Sequence, residues 1–301
     1  MNKVLITGGS GFLGGYIGEE FFHQGWEVCS IDNKIGHLSE KIHNVVMQLP
    51  SLDLNDLIKR IEPDVIIHAA GTASVSNSII EPMNDFNNNA VVTASVLDAL
   101  RNYCPECKMI LISSAAVYGN PTKIPIGENA PLHPISPYGF NKIITEQLLK
   151  EYYNIYHLPS CAVRIFSAYG AGLRRQIMWD ICKKVTTLHE VSLMGNGTET
   201  RDFIHVRDIA KALFLLSKKA SFKGEVYNLG SGIQVSIKEL AKEMICLMDK
   251  DAPLIFSGEV RLGDPLMWQA DIRKISSIGF NISIGLKEGL SDYIKWFLCN
   301  G

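Results

Sequence analysis

The 301-residue sequence is short of several features, and each shortage excludes a class of protein. No apolar run approaches the ~18 residues of a membrane span. Only Val4-Leu5-Ile6 stand before the first glycine cluster, which is too little for a signal-peptide core. A cytoplasmic protein without a membrane partner is therefore expected. Charge of one sign is also missing. The 29 Lys and Arg face 31 Asp and Glu, and the basic residues run no longer than pairs such as Lys183-Lys184 and Lys218-Lys219, so no nucleic-acid footprint is expected. The seven cysteines, at 29, 104, 107, 161, 182, 246 and 299, are odd in number and scattered, which argues for reduced thiols rather than a disulfide framework. Cys104-Pro-Glu-Cys107 is a CxxC with no second pair or His cluster beside it, and it reads as a loop with two incidental thiols. No metal site is expected. Low-complexity linkers and internal repeats are absent too.

What is present is an ordinary globular composition, 47% hydrophobic and 20% charged. At about 150 residues per domain, the length suits two domains or one large α/β unit. Short β-branched runs (Lys3 to Thr7, Glu27 to Ile31, Val45 to Met47, Val65 to Ile67, Met109 to Ile112, Cys161 to Val163) alternate with helical stretches (Tyr16 to Phe22, Leu54 to Ile61, Asp85 to Asn102, Pro137 to Tyr153). Continuous apolar strands between helices predict a doubly wound parallel sheet covered on both faces. After about residue 167 the alternation breaks into helices near 179–187, 206–217, 237–248 and 286–297 and strands near 191–194 and 226–229. This predicts a smaller α/β domain partly interleaved with the sheet: 1–166 with 204–232 returning to it, and 167–301 mainly a second unit.

Gly8, Gly11 and Gly14 fall in the turn between the first strand and the first helix. A pyrophosphate needs such glycines, because the backbone must turn tightly and bring helix N–H groups close to the anion. Strand, glycines, helix, second strand and an acid arrive in that order within 32 residues. Asp32, at the end of the second strand, would accept both ribose hydroxyls and repel a 2′-phosphate, which favours NAD over NADP.

Tyr138 and Lys142 are spaced i, i+4 and share a helix face. Ser136-Pro137 ahead of them reads as an N-cap followed by proline at the first helical position. The helix dipole, Lys142 and a nicotinamide cation would each stabilise a phenolate, so Tyr138 is expected to titrate well below about 10 and to serve as a general base for a sugar hydroxyl. Ser113-Ser114 end a strand at its carboxyl edge, where open α/β sheets carry their chemistry.

These features resemble the extended short-chain dehydrogenase/reductases, and among them the NAD-dependent nucleotide-sugar epimerases and dehydratases. The resemblance runs over almost the whole chain, through T-G-G-S-G-F-L-G at the start, I-H-A-A-G (67–71), S-S-A-A-V-Y-G (113–119), Y-G-F-N-K (138–142), R-I-F-S-A-Y-G (164–170), R-D-F-I-H-V (201–206), Y-N-L-G-S-G (227–232) and R-L-G-D (261–264). It implies a Rossmann-type first domain and a nucleotide-sugar-binding second domain. It makes Ser114, Tyr138 and Lys142 catalytic, and assigns the cofactor to Gly8, Gly11, Phe12, Leu13, Gly14, Asp32, Asn33, Ala69, Ala70 and Asn89 together with Tyr138 and Lys142. For the substrate it implies Ser114, Ser167, Arg174, Arg175, Arg201, Arg261 and Trp268. Guanidinium groups suit a diphosphate because they are always charged and bidentate. The helices around 85–102 and 138–153 match those through which many relatives dimerise as a four-helix bundle, and surface-polysaccharide precursor synthesis is the setting the resemblance suggests.

Dehydratases of that family carry Asp-Glu after the catalytic hydroxyl residue. Here Ala115 and Ala116 stand there and cannot move protons. The expected reaction is therefore 4-epimerisation of a nucleotide sugar, a UDP-hexose, by transient oxidation at C4 and hydride return. An NDP-4-ketosugar reductase or other NDP-sugar dehydrogenase or dehydratase of the same family is the alternative, and a dinucleotide-binding protein without catalysis is a third reading. The family's Arg-Tyr-Phe-Asn is Arg164-Ile165-Phe166-Ser167 here, so an amide is missing at Ser167. The resemblance places Trp268, seven residues after Arg261, where a bulky ring in hexose epimerases excludes an N-acetyl group.

Overall fold

Residues 1–36, 42–188, 190–259 and 263–301 are described in the computed structural model. Six apolar runs and a later seventh form one parallel sheet. They are β1 (Lys3–Thr7), β2 (Glu27–Asp32), β3 (His43–Val46), β4 (Val65–His68), β5 (Lys108–Ser114) and β6 (Ser160–Ile165). Three short strands follow, β7 (Ser167–Tyr169), β8 (Val191–Leu193) and β9 (Thr200–Arg201), and then β10 (Phe203–His205). The seventh member of the sheet, β11 (Lys223–Leu229), pairs with β6 in parallel, and β12 (Val235–Ser236) and β13 (Leu254–Phe256) pair with β9 and β8. The sheet order is β11-β6-β5-β4-β1-β2-β3. Strand order reverses between β1 and β4, and the crevice at that reversal is where open α/β sheets bind dinucleotides.

The helices are α1 (Phe12–His23), α2 (Asp53–Ile61), α3 (Val75–Ile80), α4 (Pro82–Phe86), α5 (Val92–Tyr103), α6 (Pro137–Tyr156), α7 (Gln176–Thr187), α8 (Val206–Lys219), α9 (Ile237–Leu247), α10 (Arg273–Ser277) and α11 (Leu286–Asn300). Side chains of a strand alternate between faces. Val4 and Ile6 therefore enter the core under α1 and α8, while Leu5 enters the opposite core under α2 and α5. A third core joins α7, α9 and α11 through Ile181, Leu240 and Tyr293. A fourth, smaller one collects Tyr118, Tyr138, Phe166 and Trp268.

One helix departs from its expected form. The stretch read as a single helix over 85–102 is α4, a π turn at Asn87–Val91 and then α5. Asn89 lies inside that turn, and its Nδ2 donates to Asp85 O at 3.0 Å. A π turn inserts one residue into a helix and leaves the 3.6-residue pattern on either side intact, so periodicity alone does not reveal it.

Candidate active site

The cradle is built by close approach. A Cβ on Gly8, whose φ is +74°, would lie 2.7 Å from Ala70 N, and one on Gly14 would lie 2.2 Å from Gly8 O. Only glycine lets β1, the turn and α1 close this tightly. Gly11 N donates to Gly8 O at 3.0 Å. Asp32 receives Ser10 N on Oδ2 (3.0 Å) and Asn33 N on Oδ1 (2.8 Å), so both oxygens are oriented and still have lone pairs to accept further hydroxyls. Leu13 packs toward the α1/α8 core, and Phe12 reaches the third core, with its ring edge-on to Tyr16 at 6.0 Å. A glycine cradle, helix N–H groups and an oriented carboxylate at the sheet's switch point fit an NAD-type dinucleotide.

A buried hydrogen-bond chain joins this cradle to the π turn. Ala70 N donates to Thr7 Oγ1 (3.2 Å), which lies 2.7 Å from His68 Nδ1. On the other side of the ring, His68 Nε2 is 3.1 Å from Thr93 Oγ1, which donates to Asn89 O at 2.7 Å. Thr93 spends its only proton on Asn89, so it must accept from His68, and the ring is then the neutral Nε2–H tautomer with Nδ1 accepting from Thr7. Burial, and secondarily the charge of Lys142, push the His68 pKa down to about 3. Ala69 N donates to Thr7 O at 3.1 Å. Asn89 Nδ2 also donates to Thr72 Oγ1 (2.8 Å), while its Oδ1 is buried without a partner.

Ser114, Tyr138 and Lys142 come together where β5 ends against the start of α6. Ser136 Oγ accepts Gly139 N at 3.2 Å and Pro137 opens the helix, as the cap pattern predicts. Tyr138 N donates to Ser78 Oγ of α3 at 3.1 Å. A Cβ at Gly139 would fall 2.6 Å from Ala116 O, so this glycine allows α6 to sit directly on the turn after Ser114. Ser114 Oγ accepts Ala116 N at 3.2 Å and hydrogen-bonds the Tyr138 hydroxyl. Lys142 Nζ donates to Ile112 O at 3.1 Å and lies 5.7 Å over the Tyr138 ring.

The expected low pKa of Tyr138 is not what the protein groups alone produce. Burial pushes the phenol up to about 12, the Ser114 hydrogen bond lowers it, Asp85 raises it and Arg175 lowers it. Burial likewise brings Lys142 down to about 8, against the opposing fields of Asp85 and Glu146. The sequence shows the neighbours of the phenol but not its desolvation. Asp85 had no assigned role. It is buried, accepts Asn141 Nδ2 at 2.6 Å and the Thr72 hydroxyl, and places a negative field on both Tyr138 and Lys142.

Arg201 is pinned by Nη1 donating to Thr200 O (2.9 Å) and lies 5.7 Å over the ring of Trp268, which shares a core with Tyr138. Asp264 and Glu199 act on it through space, and burial lowers its pKa. Trp268 donates Nε1–H to Gly119 O at 3.0 Å and meets Phe166 edge-on at 6.0 Å. Asp202 ties these segments together, accepting Ser231 N (2.6 Å), Gly232 N (2.9 Å) and Ala270 N (2.9 Å). Ser167 is half-buried and its N donates to Asp202 O at 2.9 Å. Arg175 is exposed, and its charge reaches Tyr138. Arg174 departs from the substrate-binding expectation. Its Nη2 donates to Asn300 O at 2.6 Å and its guanidinium lies over Trp179 and Trp296, which commits it to the C-terminal helix. Arg261 lies outside the described residues.

The model of the NAD dependent epimerase/dehydratase family matches residues 4–230. The chain belongs to that family. Among relatives of this epimerase/dehydratase chain, UDP-glucose 4-epimerase of Bacillus subtilis is 30% identical, over 97% of this chain and 96% of that protein. Among solved structures, UDP-N-acetylglucosamine 4-epimerase from Methanobrevibacter ruminantium, in complex with UDP-N-acetylmuramic acid, superposes with a TM-score of 0.91 at 28% identity, covering 100% and 99% of the two chains. UDP-glucuronic acid 4-epimerase from Bacillus cereus, in complex with UDP-glucuronic acid and NAD, gives 0.91 at 26% identity over 99% of each chain. The family and the doubly wound fold expected from the sequence are thereby established. Among the described residues, no helix is long and apolar enough to cross a membrane.

Proposed function

We propose that this chain is an NAD-dependent UDP-sugar 4-epimerase acting on a UDP-hexose. The observation that carries the reading is the meeting of Ser114, Tyr138 and Lys142 at the end of β5, in a fold whose glycine cradle has its acid, Asp32, oriented for ribose hydroxyls. Tyr138 removes the proton of the sugar C4 hydroxyl, Ser114 hydrogen-bonds the same oxygen, and Lys142 supplies the cationic field that favours the phenolate. NAD, when bound, supplies the acceptor and then the donor of the C4 hydride. The 4-keto sugar turns over, and Tyr138 returns the proton to O4. Ala115 and Ala116 leave no acid–base pair for dehydration.

Arg201 would hold the diphosphate, with Arg261 assisting, while Ser167 and Trp268 border the sugar. Residues 1–166 with 204–232 bind the cofactor in this reading, and 167–301 mainly close over the nucleotide sugar. Phe140 and Ile144 of α6 are exposed, one helical turn apart, beside α5; this supports a homodimer through a four-helix bundle. The seven unpaired cysteines support a cytoplasmic setting, where synthesis of surface-polysaccharide precursors would use the product. Two neighbours of known structure hold UDP-glucuronic acid, which supports a second substrate reading, a UDP-hexuronic acid whose carboxylate the exposed Arg175 would receive.

Purified protein incubated with UDP-glucose, UDP-N-acetylglucosamine or UDP-glucuronic acid, followed by proton NMR, tests these readings. UDP-glucose should yield its galacto epimer. Conversion of none of the three, together with reduction of a keto sugar by a nicotinamide cofactor, would replace the proposal with the ketosugar reductase.

A further inference from the structure

An open cleft of about 380 Å³ lies at the amino end of the sheet, lined by Trp26, Glu62, Asp64, Cys104, Cys107 and Lys218 among others. It is remote from the proposed chemistry. Cys107 precedes β5 and Ser114 ends it, so about 20 Å of strand separates the two ends at ~3.3 Å per residue. The CxxC there is arranged in a specific way. Cys104 caps α5 and is half-exposed, while Cys107 is buried. Cys107 N donates to Cys104 O at 3.0 Å, closing a turn. Such a turn holds its end Cα atoms within about 7 Å, and a disulfide spans ~4.4–6.8 Å, so the backbone is already near bridging geometry.

We propose that Cys104 and Cys107 form a thiol–disulfide exchange site for small-molecule disulfides, with Cys104 as the attacking and Cys107 as the resolving sulfur. In the first step the Cys104 thiolate attacks one sulfur of R–S–S–R. The disulfide bond breaks, a Cys104–S–S–R bond forms, and one thiolate leaves to take up a proton. In the second step Cys107 loses its proton and attacks the Cys104 sulfur, releasing the second thiol and leaving a Cys104–Cys107 disulfide. The protein dithiol loses two electrons, and the small disulfide gains them as two thiols.

The asymmetry of the pair supports these roles. Cys104 Sγ donates to Pro63 O at 3.7 Å and Cys107 Sγ to Lys108 O at 3.9 Å. The neighbouring Cys107 brings the Cys104 thiol down to about 7, against part-burial and the fields of Glu62 and Asp64. Burial drives Cys107 the other way. An accessible thiolate beside a buried protonated partner is the arrangement that exchange chemistry uses.

Bis(2-hydroxyethyl) disulfide, which is uncharged, suits a cleft with acids and lysines on its rim. The folded chain is exposed to it, acid-quenched, alkylated and digested with trypsin, which releases Asn102–Lys108 with both cysteines on one peptide. That peptide should lose two hydrogen masses, escape alkylation and recover both thiols after dithiothreitol. In Cys107→Ser the hydroxyethylthio adduct should persist on Cys104, and Cys104→Ser should leave Cys107 unreacted. Exposed Cys246 and Cys299 serve as internal references. Reaction at those two ahead of Cys104, or a peptide that keeps both thiols, would overturn the assignment. Circular dichroism of each variant separates misfolding from lost reactivity.

Discussion

Arg164 and Glu146 form a two-pronged ion pair inside the protein, with Nη2 2.6 Å from Oε2 and Nε 2.9 Å from Oε1 and both side chains at most 6% exposed. The pair fastens α6 to β6. Glu146 stands one helical turn beyond Lys142 and accepts Ser113 Oγ at 2.5 Å, next to Ser114. Arg164 also donates to Tyr118 Oη (2.8 Å) and Glu128 O (3.0 Å), and Tyr118 donates to Asn228 Oδ1 (2.7 Å) on β11. Removing one partner of a buried pair strands the other charge, at a cost of about 3–5 kcal/mol. Glu146→Gln should lower unfolding stability by that amount in urea titrations. A loss under about 1 kcal/mol would mean that water reaches Arg164.

Tyr138→Phe deletes only the hydroxyl that meets Ser114. Turnover of the UDP-sugar should fall by about 10²–10⁴-fold while substrate affinity by calorimetry stays near wild type. Lys142→Met should abolish turnover and weaken NAD binding only partly. Retained turnover in the phenylalanine variant would require another base.

His68 gives the fold an acid sensitivity whose sign follows from its burial. The folded pKa of about 3 lies below the ordinary 6.5, so between those values the unfolded chain binds the extra proton. Stability is therefore complete above about pH 6.5 and declines as pH falls toward 3, by roughly 4–5 kcal/mol in all. Urea midpoints should shift downward across this range. In His68→Gln, which keeps an acceptor and a donor for Thr7 and Thr93, the slope between pH 4 and 6 should flatten by about one proton's worth. An unchanged slope would show that His68 does not carry it.

The parts of the site legible in the sequence are those set by local constraints. Gly8 and Gly14 follow from a tight turn, Asp32 from the end of a strand, and Tyr138 with Lys142 from helical spacing. What escaped depends on partners distant in the chain. Thr7, His68 and Thr93 form one hydrogen-bonded line only after β1, β4 and α5 have packed, and Arg164 finds Glu146 across two elements. The high pKa of Tyr138 is likewise a product of burial. Arg174 and Arg175 are adjacent and chemically alike in sequence, yet the fold ties one to Asn300 and leaves the other exposed with its field on Tyr138.

That division of the arginines has a kinetic consequence. Arg201→Ala should raise KM for the UDP-sugar roughly 10- to 100-fold, the worth of one or two hydrogen bonds to a charged group, with a smaller effect on kcat. Arg174→Ala should leave KM unchanged and lower Tm slightly, through loss of its contacts with Asn300, Trp179 and Trp296. Equal KM effects from the two variants would return Arg174 to the substrate site.

Trp268 bears on which sugars enter. The related chains of known structure include enzymes of both plain and N-acetylated sugars, so the shared fold does not decide the matter. The ring does, if it borders the sugar as proposed. It is 9% exposed, held by its bond to Gly119 O and its contact with Phe166, and it shares a core with Tyr138, so it cannot swing aside cheaply. Wild type should prefer UDP-glucose to UDP-N-acetylglucosamine. Trp268→Ser should raise the relative kcat/KM for the acetylated sugar by about tenfold or more, the usual worth of relieving a steric exclusion of this size. Truncating a buried Trp also costs about 3–5 kcal/mol, so near-UV circular dichroism and retained turnover of UDP-glucose must accompany the measurement. If the variant folds and both substrates lose activity in proportion, Trp268 supports the site without gating it. If wild type already turns over the two sugars equally, the ring does not face the C2 substituent.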